Sequence, residues 1–119
     1  NECLKYIDDY YSKDIGVGEL AADMHISETG LRDLFRINMN MAPLDYINLI
    51  RIRHACEMLQ KTSDSIEQIS YKCGFSTPST FNRNFRRYMD QSPSSWRKSY
   101  VGKDNIGLGI HIQSLKGWY

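Results

Sequence analysis

Several things are missing from this 119-residue sequence. Cys3, Cys56 and Cys73 form no CxxC pair, and His25, His54 and His111 are scattered, so zinc-ligand spacing and a disulfide framework are both absent. No Gly-rich phosphate loop and no clustered nucleophile, base or metal set occurs, and catalysis is not expected. No apolar run approaches the roughly 18 residues of a membrane span, and no signal peptide opens the chain. A strong basic excess is missing too, since the net charge is only +1. The expectation is a protein of the reducing cytoplasm, without cofactor, metal or membrane partner, whose cysteines are small buried side chains.

What is present is a repeat. LAADMHIS at 20–27 realigns with ISYKCGFS at 69–76 at an offset of 49. After one extra residue in the second copy, LRDLFR at 31–36 matches FNRNFR at 81–86, and Ala42-Pro43-Leu44-Asp45-Tyr46 matches Ser92-Pro93-Ser94-Ser95-Trp96, at an offset of 50. Apolar spacing within each copy is helical, with start signals at the breaks. About seven helices result, an all-α fold with two helix-turn-helix units, at about 1–42 and 62–101, joined by a long helix at about 43–61.

The first helix is expected over Glu2–Ser12, burying Leu4, Ile7 and Tyr11. A second begins near Val17 behind Gly16, with Glu19 at its third position. Ser27 caps a third, whose inward stripe is Leu31, Leu34 and Phe35 and whose outward residues include Thr29, Arg32, Asp33 and Arg36. Pro43 opens the long helix, burying Ile47, Ile50, Ala55, Met58 and Leu59. In the second copy a capping box joins Ser65 to Gln68, Thr77 and Pro78 start the next helix, and Phe81 and Phe85 point inward while Ser79, Asn82, Arg83 and Arg86 point out. Asn40 and Asp90 stand where a left-handed backbone is needed. Tyr46, Trp96, Phe35, Phe81 and Phe85 read as core rather than as base-stacking platforms. Residues 1–102 form one domain in this reading. The tail 103–119 belongs to neither repeat, and its Gly punctuation and brief alternation look more like strand than helix.

Charge is unevenly spread. Residues 1–25 carry Glu2, Asp8, Asp9, Asp14, Glu19 and Asp23 against Lys5 and Lys13, a net −4 that leaves +5 downstream. The densest basic cluster is Arg83, Arg86, Arg87, Arg97 and Lys98, suited to neutralising phosphates.

ISYKCGFSTPSTFNRNFRRYMDQSPSSWRK, with the Gly74-Phe75 turn, the A-P and S-P helix starts and RIRHACEMLQ between the copies, resembles the signature of AraC/XylS-type transcription regulators over residues 2–100. The resemblance implies sequence-specific binding to double-stranded DNA through recognition helices at about 28–38 and 78–89, most often as an activator, with RNA polymerase as a further partner. By position it assigns base reading to Thr29, Gly30, Arg32 and Asp33 in the first unit and to Ser79, Thr80, Asn82 and Arg83 in the second. The chemistry fits: Arg donates two bonds to guanine, Asn pairs with adenine, and Asp accepts from cytosine. Ser27, Arg36, Thr77, Arg86 and Arg87 would hold phosphates. Asp33 has two further readings, as an intrahelical partner of Arg36 or as the group that orients Arg32. Gly30 offers few contacts, so the first unit is expected to discriminate bases less than the second.

Because the first residue is Asn1, with a helix already under way, the segment is expected to come from a longer protein whose sensor domain lies elsewhere. Two other functions stay open. One is a helical protein-interaction module. The other is the DNA-binding part of a repair methyltransferase, which would need a cysteine-rich metal site upstream.

Overall fold

A computed structural model describes residues 2–100. Among them lie seven helices: α1 (Glu2–Tyr10), α2 (Val17–Asp23), α3 (Glu28–Met39), α4 (Pro43–Lys61), α5 (Ile66–Lys72), α6 (Pro78–Met89) and α7 (Pro93–Tyr100). The strand-like reading of 103–119 lies outside the described residues.

Start signals act as chemistry predicts. Glu19 accepts the Gly16 N–H ahead of α2. Ser27 Oγ accepts the Gly30 N–H (3.0 Å) at α3, and Thr77 Oγ1 accepts the Thr80 N–H (3.2 Å) at α6. At α5 the reciprocal box is complete, with Gln68 N–H bonded to Ser65 Oγ (3.1 Å) and Ser65 N–H to Gln68 Oε1 (2.9 Å). Each such cap satisfies donors that the first helical turn otherwise leaves open. Asn40 (φ 56°) and Asp90 (φ 62°) end α3 and α6 in the left-handed region, as expected of these two residue types.

Helix α4 organises the core. It is about 28 Å long, and its buried residues, among them Tyr46, Ile47, Leu49, Ile52, Ala55, Cys56 and Leu59, fall on several sides of the helix. It packs against both units, touching α1 and α3 of the first and α5, α6 and α7 of the second. On the first side α1 is strapped to it by a flat stack of Tyr11 on His54 (3.9 Å between centroids) and by a contact of Asp8 Oδ1 with His54 Nε2 (3.2 Å). On the other, Phe75, Phe81, Phe85 and Trp96 form a chain of ring contacts at 5.4–6.1 Å. All three cysteines are buried and free. Burial raises their thiol pKa values, that of Cys73 to about 12.

Four details differ from the sequence reading. Helix α1 ends at Tyr10, because the chain turns at Tyr11 and Ser12 toward the loop that Arg51 holds. Leu4, Tyr11 and Met58 are only partly buried, packed at the margin of the core. Leu34 does not join the inward stripe of Leu31 and Phe35, since it lines an open groove between α1 and α3. Arg97 is not part of a phosphate-facing cluster: its guanidinium donates to the carbonyls of Leu59 (3.0 Å), Thr62 (3.0 Å) and Asp64 (2.7 Å), fastening the α4–α5 loop.

Arg51 fastens the other loop in the same way. It donates to the carbonyls of Tyr11 (2.8 Å) and Lys13 (3.0 Å), and burial pulls its pKa down against the raising influence of Asp14. Its guanidinium also lies 5.8 Å from the centre of the Phe75 ring. Arg51 therefore touches both units. Beside it Gly74, at φ +99°, leaves no space for a Cβ, which would lie 2.6 Å from the Tyr11 carbonyl oxygen. The turn of the second unit thus rests directly on the first unit's loop.

Candidate nucleic-acid interface

Each unit places a short helix, a tight turn and a twelve-residue helix in sequence. The turns correspond across the repeat: His25 takes φ 58° in the first and Gly74 φ 99° in the second. In both units the residues expected to meet DNA lie on the face of the second helix turned away from the core. Thr29, Arg32, Asp33 and Arg36 of α3 are exposed, as are Ser79, Arg83, Arg86 and Arg87 of α6. Gly30, Thr80 and Asn82 are partly buried.

The two faces differ in charge. On α3 each arginine has an acid: Arg32 pairs with Glu28 (3.4 Å) and Arg36 with Asp33 (3.2 Å). The second pair is the intrahelical reading of Asp33. Glu28 also places a carboxylate in the first turn, where the helix dipole favours it and a phosphate would otherwise sit. Helix α6 has no acid in its first turn and carries Arg83, Arg86 and Arg87. Among the described residues Arg83 and Arg86 form no ion pair, whereas Arg87 reaches Asp45 of α4 (3.2 Å) and lies over the Tyr88 ring (5.2 Å). Thr80 is drawn toward the cap, its hydroxyl accepting from Thr77 (3.0 Å).

Sequence reasoning missed Glu28, although its place four residues before Arg32 is the spacing that favours a helical ion pair. It also missed Arg51, for which no local pattern exists. Among the described residues no group of three or more His, Cys, Asp or Glu side chains gathers to hold a metal, and no helix is long and apolar enough to cross a membrane.

Two helix-turn-helix units on one shared helix, with their second helices outward, define a DNA-binding type of architecture. A family model described as a helix-turn-helix domain matches residues 20–99, and the chain belongs to this family, in its AraC/XylS-type branch. The chain is 33% identical over 97 residues to the lactose operon transcription activator of Staphylococcus xylosus, covering 82% of this chain and 35% of that protein. It is 29% identical over 106 residues to the transcriptional activator RhaS of Klebsiella pneumoniae, covering 89% and 37%. The chain thus spans about a third of the length of these relatives. Among solved structures, the DNA-binding domain of AdpA in complex with a target DNA superposes with TM-score 0.79 at 26% identity, covering 83% of this chain and 89% of that one. An AraC-type regulator from Chromobacterium violaceum gives 0.80 at 25%, covering 87% and 92%.

Proposed function

We propose that residues 1–102 are the DNA-reading domain of a transcription regulator, in which the α5–α7 unit supplies most of the electrostatic anchoring and the α1–α3 unit contributes mainly shape and base contacts. The carrying observation is the charge difference: among the described residues α6 presents Arg83 and Arg86 without an ion pair, whereas α3 presents arginines already matched with Glu28 and Asp33. In the second unit Ser79, Asn82 and Arg83 read bases, with Thr80 at the edge. Arg86 and the N–H groups behind Thr77 meet phosphate, and Arg87 joins them by leaving Asp45. In the first, Thr29, Gly30, Arg32 and Asp33 face the bases, with Ser27 and Arg36 toward the backbone. Arg32 must exchange Glu28 for a base edge, which makes this half more selective about when it binds tightly.

The dimensions agree with one chain addressing two successive major-groove segments. These recur about every 34 Å along one face of a duplex, and the described residues measure 43 × 27 × 21 Å. The relatives' names support activation of transcription, and the proposal extends to action in the cytoplasm, with RNA polymerase as the next partner and a sensor domain in the rest of the protein. Selection of bound duplexes from a random pool, followed by anisotropy titrations of the recovered site at several salt concentrations, tests the reading. Affinity should fall linearly in log–log form, with a slope near −0.9 for each phosphate neutralised. Absence of binding at low salt would overturn it in favour of a protein-docking scaffold.

A further inference from the structure

The internal repeat allows each unit to be measured against the other. In the second unit Cys73, Phe75, Asn84, Tyr88 and Met89 are buried, none more than 7% exposed. Their counterparts in the first unit are open. Ile26 is 37% and Leu34 49% exposed, Asn38 is exposed, and Met24 and Met39 are only partly buried. With Leu4 these residues line an apolar groove of about 300 Å³ between α1 and α3. Side-chain polarity does not explain the contrast, because Leu34 is the apolar member of its pair and Asn84 the buried one.

What differs is cover. In the second unit the first half of α4 lies against α6: Tyr88 Oη donates to the Asp45 carbonyl (3.2 Å), and Arg87 pairs with the Asp45 carboxylate (3.2 Å). The second half of α4 plays the part that α1 plays in the first unit. The described part of α1 begins at Glu2, so a counterpart of Pro43–Leu49 would lie ahead of the described residues. Carried back by the 49-residue offset of the repeat, Asp45 falls ahead of Asn1.

We propose that this groove is the docking site of an amphipathic helix that runs into α1 from its N-terminal side, taking on α3 the place that Pro43–Leu49 takes on α6. We place the occupant in the protein's own chain ahead of Asn1, where the repeat puts the counterpart of Pro43–Leu49; the relatives are about three times the length of the segment they share with this chain. Its chemistry follows from the groove. It carries apolar side chains three and four residues apart. Where α4 offers Asp45 to Arg87, it offers an apolar group to Ile37, which holds the position of Arg87 and is 70% exposed. The inference stands on packing and does not depend on the DNA reading.

The test compares residues 1–119 with the parent-length protein, using Leu34→Cys in a Cys3→Ala background and Lys61→Cys as an exposed control, each checked for folding by circular dichroism. Cys56 and Cys73 are buried with raised pKa values and stay silent toward maleimide. Leu34→Cys should react as fast as the control in residues 1–119, and about tenfold or more slowly in the parent-length protein, at a rate independent of protein concentration. As a second readout, Leu34→Glu should lower the melting temperature of the parent-length protein by several degrees and leave that of residues 1–119 nearly unchanged. Equal maleimide rates in the two proteins would overturn the proposal. So would protection that grows with concentration, which would assign the groove to a second copy.

Discussion

Replacing Gly74 by alanine should be among the most damaging single-methyl changes available in this chain. The backbone there sits at φ +99°, beyond the left-handed basin that other residues tolerate. Conformational strain alone costs about 1–3 kcal/mol. The added Cβ would also lie 2.6 Å from the Tyr11 carbonyl oxygen, 3.0 Å from Arg51 Nε and 3.1 Å from Ser12 Cα. Two of those three are backbone atoms and cannot swing aside, so relief requires the first unit's loop to move. That movement stretches the Arg51–Tyr11 bond, a charge-assisted contact worth about 1.5–3 kcal/mol. Allowing for partial relaxation, the expected loss is about 3–5 kcal/mol, a large fraction of the roughly 5–15 kcal/mol that holds a domain folded. Urea unfolding followed by circular dichroism measures it, with Gly18→Ala as the control. A Cβ at Gly18 meets only Glu28 Oε2, at an ordinary 3.5 Å, so that variant should gain up to about 1 kcal/mol of helix propensity. A Gly74→Ala protein within about 1 kcal/mol of wild type would refute the reasoning.

Arg83→Ala should weaken binding to the selected site by about 1–3 kcal/mol and relax preference at one base pair, whereas Arg86→Ala should weaken all sequences alike and flatten the salt slope by about one unit. Equal loss on every sequence from both variants would remove Arg83 from base reading. Glu28→Gln frees Arg32, so affinity for unrelated DNA at low salt should rise about two- to fivefold, as expected for one exposed ion pair; unchanged non-specific affinity in the same titration counts against the role given to the pair. The Cys73 thiol has its pKa raised from 9.0 to about 12, so the folded state holds its proton longer than the unfolded one. Its contribution to stability is full below pH 9, falls by about 1.4 kcal/mol per pH unit above it, and is gone above about pH 12. Chemical denaturation between pH 8 and 10.5 should show this decline, and Cys73→Ala should make it shallower, leaving the part due to Cys3 and Cys56, whose thiols burial also raises.

Local chemistry made much of the molecule readable. Ser27, Ser65, Thr77, Pro43 and Pro78 announce helix starts because their effects act within one turn, and the repeat multiplied each signal by two. Outward placement of Arg32, Arg36, Arg83 and Arg86 followed from helical spacing alone. Leu34 shows where that logic ends: periodicity says which face of a helix is apolar, but not whether anything packs on that face. What Arg51, Arg97 and Gly74 touch was illegible for a related reason. Their partners are carbonyl groups and backbone atoms some 33 to 63 residues away, and every residue type offers the same carbonyl.

Because α4 is the closing wall of one unit and the opening wall of the other, it has no side that belongs to solvent alone. A cut near its middle would leave two fragments, each with a torn apolar surface, and a proline there would break the helix both units share. A ligand that tightens the second unit would therefore also hold the first against unfolding, even if the first made no contact with that ligand, because opening either half exposes the same shared helix.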